Sequence, residues 1–422
     1  MASNTNNKKL HIAIIGGGIG GLTFGVALKG CSNIQVDLYE QAHRITEIGT
    51  GITVWPRTWE ILKSLGLEEQ LKAQLPEEPD DKPKLAFEFR LSDRREGFTF
   101  HKLFVKNGAL GFHRQSLQAT LLKNLPDFCT VHLEHHVNRI EESEGSVKLF
   151  FRDGSEATCD ILVGADGVKS VAREKIPNKG VFWTGTMVYR GVIPREMFAK
   201  MYPGHRAIND PITHVVTFPI SNGQLINVAA SSTNLENEGK PFDPVAPPIT
   251  KEEILETYSG WEEEVMQLLG CLEKPTHWVL RDLHPLSTYI TRRIALLGDA
   301  AHAMEPNIGA GAGQAIEDAY VLGTLFRNAS TEDWARVLEA YNAVRQPFAT
   351  MIRNNAREQG FYYELNSPEL KALDKGQVLT PDQLDVLRRN ITKNYSWWED
   401  DADIELQRAV KLFNKKEDEP RV

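Results

Sequence analysis

The chain has 422 residues, 41% hydrophobic and 25% charged, with a net charge of −9, the balance of an ordinary soluble globular protein long enough for two substantial lobes. The acidic excess and a pI near 5.8 argue against nonspecific binding to nucleic acid or anionic membrane. No apolar run is long enough to span a bilayer, the polar start MASNTNNKK predicts no signal peptide, and the four scattered cysteines (Cys31, Cys129, Cys159, Cys271) lack metal-ligand spacing, so free thiols, no metal and a cytoplasmic location are expected.

The first predicted element is a short apolar strand, His11–Ile15, that runs into Gly16, Gly18 and Gly21. That spacing is a dinucleotide fingerprint. The first glycine permits a tight turn, the second lets backbone approach a pyrophosphate, and the third lets the next helix pack on the strand. Leu22–Leu28 continues at helical spacing, so a helix N-terminus would face the phosphates. A second strand, Ile34–Tyr39, ends at Glu40, 24 residues after Gly16, where a carboxylate can accept bonds from a ribose diol. The fingerprint alone fits FAD and NAD equally.

A loop and helix follow in EIGTGITVWPRTWEILKSLGL (47–67), then a Pro- and acid-rich connector, PEEPDDKPK. Residues 82–103 alternate apolar and polar side chains, as in LAFEFRL, and read as half-buried antiparallel strands. GFHRQSLQATLL (111–122) puts Arg114 at the start of a helix. DILVGADGVKSVAR (160–173) is a strand leading into an Asp-Gly turn, where Gly167 relieves the turn and Arg173 could carry positive charge toward phosphate. MVYRGVI (187–193), THVVTFPI (213–220) and QLINVAAS (224–231) read as strands of one sheet, and residues 249–270 as one amphipathic helix. Ile294–Leu297 is a strand ended by Gly298-Asp299, Gly309–Gly313 opens a long helix, and helical pattern continues toward the charged tail KKEDEPRV.

Three glycine-punctuated motifs in this order, IAIIGGGIGGLTFGVAL (12–28), DILVGADGVKSVAR and LLGDAAHAMEPNIGAGAGQAIEDA (296–319), resemble the single-component FAD-dependent aromatic hydroxylases, the class A monooxygenases. Within that family the chain most resembles salicylate-hydroxylase-like enzymes, particularly the fungal branch that acts on polyketide-derived phenols. With the element pattern above, the resemblance implies an α/β fold in which a Rossmann-like FAD-binding lobe (1–78, 104–182 and 280–345) interleaves with a smaller sheet-based substrate lobe (79–103 and 183–279). A helical C-terminal segment (346–422) completes it. Asp160, Asp166, Gly167, Ser170 and Arg173 match the family's second motif, whose Asp-Gly segment touches the FAD pyrophosphate region and the nicotinamide cofactor. Asp299 matches the residue that hydrogen-bonds the ribityl chain, and His302 and Pro306 complete that pattern, with His302 read as structural. Gly309, Gly311 and Ala312 bring a helix N-terminus to the flavin pyrimidine edge, where its positive end would stabilise anionic reduced flavin. Relatives often have glutamine where this chain has Ala310, and Pro-Asn-Ala where it has Pro56-Arg57-Thr58, in the segment that also carries Gly51. Arg114 matches an arginine that contacts FAD.

The implied reaction reduces FAD with NADH or NADPH, forms a flavin C(4a)-hydroperoxide from O2, and transfers the distal oxygen to a ring carbon of a small phenolic substrate. The protein supplies orientation, electrostatics and dryness. An ionised phenol is the better nucleophile, and Arg190, central in the YRG segment, is the leading candidate to favour phenolate by opposite charge. Strand alternation leaves open whether it faces pocket or solvent. His214, Val216 and Phe218 share one strand face; Phe218 offers an apolar wall where some relatives hold the substrate with tyrosine. Phe112, beside Arg114, is a further lining candidate.

Attack at an unsubstituted carbon gives hydroxylation, with loss of carbon dioxide where a carboxylate occupied that carbon, as in salicylate-type chemistry. Attack at an alkylated carbon leaves a dearomatised hydroxy-dienone, and Phe218 with the aromatic-rich strands favours such a bulky apolar phenol. Alkene epoxidases and isoprenoid reductases share the motifs but usually carry membrane-associating segments; a non-catalytic flavin scaffold is the other alternative. No Ser-His-Asp order or paired carboxylates support hydrolysis. The sequence fits NADH and NADPH equally as the transient reductant, and monomer and homodimer equally as the assembly.

Overall fold

The computed structural model describes residues 9–45, 51–75, 77–208, 215–220, 223–241, 249–368, 370 and 378–415. In chain order the elements begin with β1 (Leu10–Ile15), α1 (Ile19–Ala27), β2 (Ile34–Tyr39), β3 (Gly51–Val54), α2 (Pro56–Ser64), α3 (Glu68–Lys72), β4 (Pro83–Leu91), β5 (Phe98–Lys106) and β6 (Leu110–His113). Next come α4 (Arg114–Lys123), β7 (Cys129–His132), β8 (Val137–Glu142), β9 (Val147–Phe151), β10 (Glu156–Cys159), β11 (Ile161–Gly164), β12 (Val181–Pro194) and α5 (Arg195–Met201). After β13 (Val215–Ile220), β14 (Leu225–Thr233), α6 (Lys251–Thr257), α7 (Glu263–Gly270), β15 (Thr276–Leu283) and β16 (Ile294–Leu296), the rest is helical. It comprises α8 (Asp299–His302), α9 (Gly311–Asn328), α10 (Trp334–Tyr363), α11 (Pro381–Tyr395) and α12 (Asp403–Asn414).

Five strands make one parallel sheet in the order β16-β11-β1-β2-β7. Ile12, Ile14, Val36, Leu38 and Ile161–Val163 are fully buried, as strands covered on both faces require. Helix α1 packs on α9 closely enough that a Cβ on Gly323 would lie 2.5 Å from that of Ala27. This is the Rossmann-like core expected of the first motif. A separate antiparallel sheet, β13-β14-β12-β15, forms the second lobe, and the β4-β5 pair packs with α11. The expected divisions at residues 103, 182, 280 and 345 fall inside β5, β12, β15 and α10, because strand pairing and one unbroken helix carry the chain across them. The stretch expected as one amphipathic helix is two, α6 and α7, separated at Gly260, whose φ of 88° no helix accepts. Helices α6 and α11 each begin with a capping box, Thr250 with Glu253 and Thr380 with Gln383.

The four cysteines are free. Among the described residues no helix is long and apolar enough to cross a membrane, and no group of three or more His, Cys, Asp or Glu side chains could hold a metal ion.

Beneath α9 lies a buried ionic network that sequence patterning does not reveal. Arg345 on α10 donates from Nε to Asp318 Oδ1 (2.8 Å), from Nη1 to Glu317 Oε1 (2.6 Å) and from Nη2 to Gln314 Oε1 (2.7 Å). Arg57 on α2 grips the same Glu317 with Nε (3.0 Å) and Nη2 (2.7 Å), and also pairs with Glu405 on α12. Both guanidinium groups are fully buried. Burial works to raise the Asp318 carboxyl, but His302 and Arg345 outweigh it and hold it below the usual carboxylate range. The unusual Arg57 therefore has a structural explanation: it ties α2 and α12 to the helix behind the cleft. Removing one member of such a set strands the remaining charges in low dielectric, which typically costs about 3–5 kcal/mol. Arg345→Ala is expected to lose about that much in urea denaturation; a loss under about 1 kcal/mol would contradict the assigned role.

Candidate active site

The three glycine-bearing turns converge on one cleft of about 1180 Å³. Gly16, at a φ of 106°, donates its N–H to Tyr39 O at 2.8 Å, and a Cβ there would sit 2.3 Å from the Ala165 carbonyl oxygen. The first and second motifs thus touch at a point where only hydrogen fits. Gly21 does not line the cleft; a Cβ on it would strike Gly16 O at 2.1 Å, so its work is close helix packing. Gly18 differs, because a Cβ there would meet no protein atom within 4 Å. It caps α1 without any side-chain partner for the first-turn N–H groups, leaving those donors available to an anion in the cleft.

Glu40 follows β2 and is held by two backbone donors, Gly17 N to Oε2 (2.7 Å) and Ala42 N to Oε1 (2.8 Å). Its position on the cleft leaves remaining lone pairs for a diol. Asp166 accepts from Val171 N (2.7 Å) and Ala172 N (3.2 Å) through Oδ2, while its buried Oδ1 has no hydrogen-bond partner among the described residues. Burial pushes this carboxyl up from its ordinary value. Asp299 opens α8 as an exposed carboxylate on the cleft. The turn before it is fixed by Gly298 N donating to Asp318 Oδ2 at 2.9 Å. His302 Nε2 lies 2.5 Å from that same oxygen, buried behind the turn and outside the cleft lining. Gly51, Arg114, Pro306, Gly309, Gly311 and Ala312 also line the cleft, the last two in the first turn of α9 with its positive end inward.

The Pro306–Ala310 loop is strapped from several sides. Trp55 Nε1 donates to Gly309 O (3.0 Å) and its ring stacks on Trp398 at a centroid distance of 3.6 Å. The hydroxyls of Tyr363 (2.8 Å) and Tyr395 (3.1 Å) converge on the carbonyl of Asn307. The C-terminal helices thereby hold the loop that borders the cleft. An uncapped helix N-terminus, open space at Gly18, a buried carboxylate oxygen unpartnered among the described residues and a diol-ready glutamate together fit an FAD molecule. Gly16, Gly18, Glu40, Asp166, Asp299 and the start of α9 could hold it.

The antiparallel sheet supplies the other face. Thr184, Thr186, Val188 and Arg190 of β12 line the cleft at every second position, beside Asn227, Ala229, Ser231 and Thr233 of β14 and Val216 of β13. Arg190 pairs across to Ala229 and is half-buried on the cleft side, which answers the question that alternation left open. No carboxylate among the described residues pairs with it, and burial pulls its pKa below the ordinary arginine value. Phe87, Met304, Phe361, Tyr363 and Glu364 also line the cleft.

Two expectations are corrected. Phe112 is not on the cleft; it is buried in the core with its ring stacked on Trp59 at 6.3 Å, because β6 turns the Phe112 face inward. Arg173 gives its guanidinium to carbonyls, Nη1 to Ala300 O (3.1 Å) and Nη2 to Val168 O (2.5 Å). It therefore braces the Asp-Gly turn against α8, assisted by Ser170 Oγ accepting from Arg173 N (2.9 Å). Asp160 likewise serves the fold, accepting from His11 N at 2.9 Å. His214 lies outside the described residues. So does the Phe218 side chain, although its backbone pairs with Asn227 two residues beyond Val216. Sequence reasoning missed Thr186, Thr233, Glu305 and Glu364. The two threonines were reachable from strand alternation, whereas no pattern places Glu364, just past α10, inside a cleft.

Comparison with known proteins supplies the class. The family described as "FAD binding domain" matches residues 9–356, and the chain belongs to it. Salicylate hydroxylase of Pseudomonas putida is 32% identical over 96% of both chains, and 6-methylsalicylate 1-monooxygenase of Aspergillus terreus is 33% identical over 81% of this chain and 80% of its own. A solved salicylate hydroxylase substrate complex superposes with a TM-score of 0.83 at 30% identity, covering 96% of this chain and 99% of that one. The protein is an FAD-dependent monooxygenase of the class A aromatic hydroxylase type.

Two glycine variants should separate fold from cofactor binding. Gly18→Val adds bulk only to the cleft, so the folded protein should persist while FAD affinity, read by flavin-fluorescence titration, falls by about tenfold or more, roughly 1.4 kcal/mol. Gly21→Ala drives a Cβ into backbone, so it should also lower the melting temperature. Equal melting temperatures in the two variants would refute the distinction.

Proposed function

We propose that Arg190 binds the oxyanion of a phenolic substrate and so prepares its ring for attack. The observation that carries this reading is a half-buried guanidinium on the cleft with no acidic partner among the described residues. A half-buried cation with no acidic partner among the described residues gains more from an incoming anion than a fully solvated one. It lowers a bound phenol's pKa by stabilising the charged form. When bound, FAD supplies the redox chemistry by which NAD(P)H and dioxygen together add one oxygen atom to the ring. The chain's own contribution is to orient the phenol, keep its negative charge near Arg190, and exclude water with Val188, Val216, Leu280, Phe87 and Met304, all on the cleft.

We take the substrate to be a bulky alkylated phenol of polyketide type, with a dearomatised product when the attacked carbon bears an alkyl group. The apolar part of the lining supports that choice. The salicylate-type decarboxylative reading is favoured by the 32% identity to a salicylate hydroxylase, and Arg190 would suit a carboxylate too. Cytoplasmic placement, where NAD(P)H is at hand, completes the proposal.

Purified protein should show phenol-stimulated NAD(P)H oxidation. Incubation with salicylate and with an alkylated resorcylaldehyde, followed by product masses, decides between the readings: catechol from salicylate as the preferred reaction overturns the bulkier substrate. Arg190→Ala should keep FAD while kcat/KM drops by about 10²-fold, in line with the ~2–5 kcal/mol lost on truncating one member of a desolvated charge pair. Arg190→Lys should recover part of it. Unchanged kcat/KM in the alanine variant removes Arg190 from the site.

A further inference from the structure

Three side chains on the cleft form a hydrogen-bonded line that the reading above does not use. Thr233 Oγ1 donates to Glu364 Oε1 at 2.6 Å, and Thr186 Oγ1 lies 2.7 Å from Thr233 Oγ1. A threonine hydroxyl has one proton. Since that of Thr233 points at Glu364, Thr186 must be the donor in the second bond. Thr186 then keeps lone pairs with which to accept, and it and Arg190 line the cleft two strand positions to either side of Val188. The line is directional, running from the cleft to a carboxylate.

Local structure builds this line deliberately. β12 slips its register against β15 between Trp183 and Met187, and Gly185 within the slip has a φ of 84°. A Cβ on Gly185 would fall 2.4 Å from Asn234 O, so only glycine lets β12 approach the chain end of β14. Such bulges re-aim side chains beside active sites. Here Thr186 pairs directly with Thr233 in the β12–β14 ladder, and Glu364, just past the last turn of α10, accepts from Thr233.

We propose that Glu364, reached through Thr233 and Thr186, is the base that receives the proton of the substrate hydroxyl. The proposal rests on the phenol-binding reading of the same cleft. The phenolic O–H bond breaks and its proton goes to Thr186 Oγ1 while Thr186 passes its own proton to Thr233 Oγ1. Thr233 passes its own to Glu364 Oε1. The electron pair stays on the phenolate oxygen, in the field of Arg190, both hydroxyls end as they began, and Glu364 becomes a neutral carboxylic acid. No oxidant or reductant enters this step.

Burial raises the Glu364 carboxyl to about 6, with Thr233 and Asn366 bonds opposing that rise, which suits a group that must take up and release a proton near neutrality. The ionisable neighbours it influences are Tyr258, whose hydroxyl is already given to Ser231 O at 2.7 Å, and Glu305 on the loop before Pro306. Glu305 is itself raised to about 7 by burial and by Asp282. Arg357, on the same cleft, is paired with Glu238 through two 2.7 Å contacts. Glu364 accepts a proton only when ionised, so the relay works above about pH 6 and fails as pH falls through that value.

The test uses FAD-loaded protein mixed rapidly with an alkylated resorcylaldehyde. Phenolate absorbance and proton release to an indicator dye are followed between pH 5 and 9. Glu364→Gln keeps the acceptor for Thr233 but cannot take a proton; Thr233→Val cuts the line, and Thr233→Ser restores it. Wild type and Thr233→Ser should ionise the ligand rapidly, with a fall near pH 6. Glu364→Gln and Thr233→Val should bind it with affinity within about threefold but ionise it about 10²-fold more slowly and without that fall. Wild-type rates in both Glu364→Gln and Thr233→Val overturn the relay while leaving Arg190 in place. Failure of wild type itself to bind any phenol or to consume NAD(P)H faster in its presence overturns the functional reading, and the relay with it.

Discussion

The contact between Asp318 and Gly298 N sets the geometry of the cleft. Asp318 sits at the centre of a buried set of charges, with Arg345 on one oxygen and His302 and Gly298 N on the other. Glu317, the next residue of α9, is shared by Arg345 and Arg57. Charges so fully removed from water persist only where each is matched in number and direction. That requirement pins α9 against α2, α10 and α12, and the helix start and the Gly298-Asp299 turn are both placed by it. The cleft-lining Gly298-Asp299 turn and the start of α9 therefore inherit their positions from an ionic network whose charged groups lie outside the cleft lining.

A second constraint runs through the C-terminal helices. Their tyrosines and Trp398 fasten the Pro306–Ala310 loop directly or through Trp55, and Glu405 and the carbonyl of Asp401 reach Arg57. Residues beyond the three motifs thus help form the site rather than append to it. The loop is short and its Gly309 sits at a φ of 59°, a backbone state that alone would be only one of several accessible conformations. Packing from α10 and α11 selects it.

The two faces of the cleft divide the chemistry. The parallel-sheet side offers backbone N–H groups, glycine-cleared space and carboxylates for a dinucleotide, while the antiparallel side offers the Arg190 cation and a row of hydroxyls. Arg190 and Glu364 stand on the same cleft without pairing with each other; Arg190 has no acidic partner among the described residues and Glu364 is bonded to Thr233. Had they met, each would have cancelled the other's electrostatic use. Their separation, with Arg190 and Thr186 four residues apart on one strand, keeps a guanidinium and a hydrogen-bonded carboxylate apart within a single cleft.

Local chemistry in the sequence was enough to determine the dinucleotide fold and the family. The Gly16–Gly21 spacing, the acid ending β2, and the Asp-Gly and Gly-Asp turns are short-range patterns whose physical meaning is carried by adjacent residues, and each reappears at the cleft or directly behind it. The alternation of β12 limited Arg190 to two faces but could not choose between them, since the choice depends on which side the flavin lobe occupies. Phe112 and Arg173 were misread for the same reason: an aromatic beside an arginine, or an arginine after an Asp-Gly turn, has no intrinsic direction until the neighbouring layer is in place. Arg57, Glu317, Arg345 and Glu364 were invisible because their partners lie tens to hundreds of positions away in the chain. Only tertiary packing decided their roles, by bringing distant charges into a medium where pairing, or the lack of it, carries a large free energy.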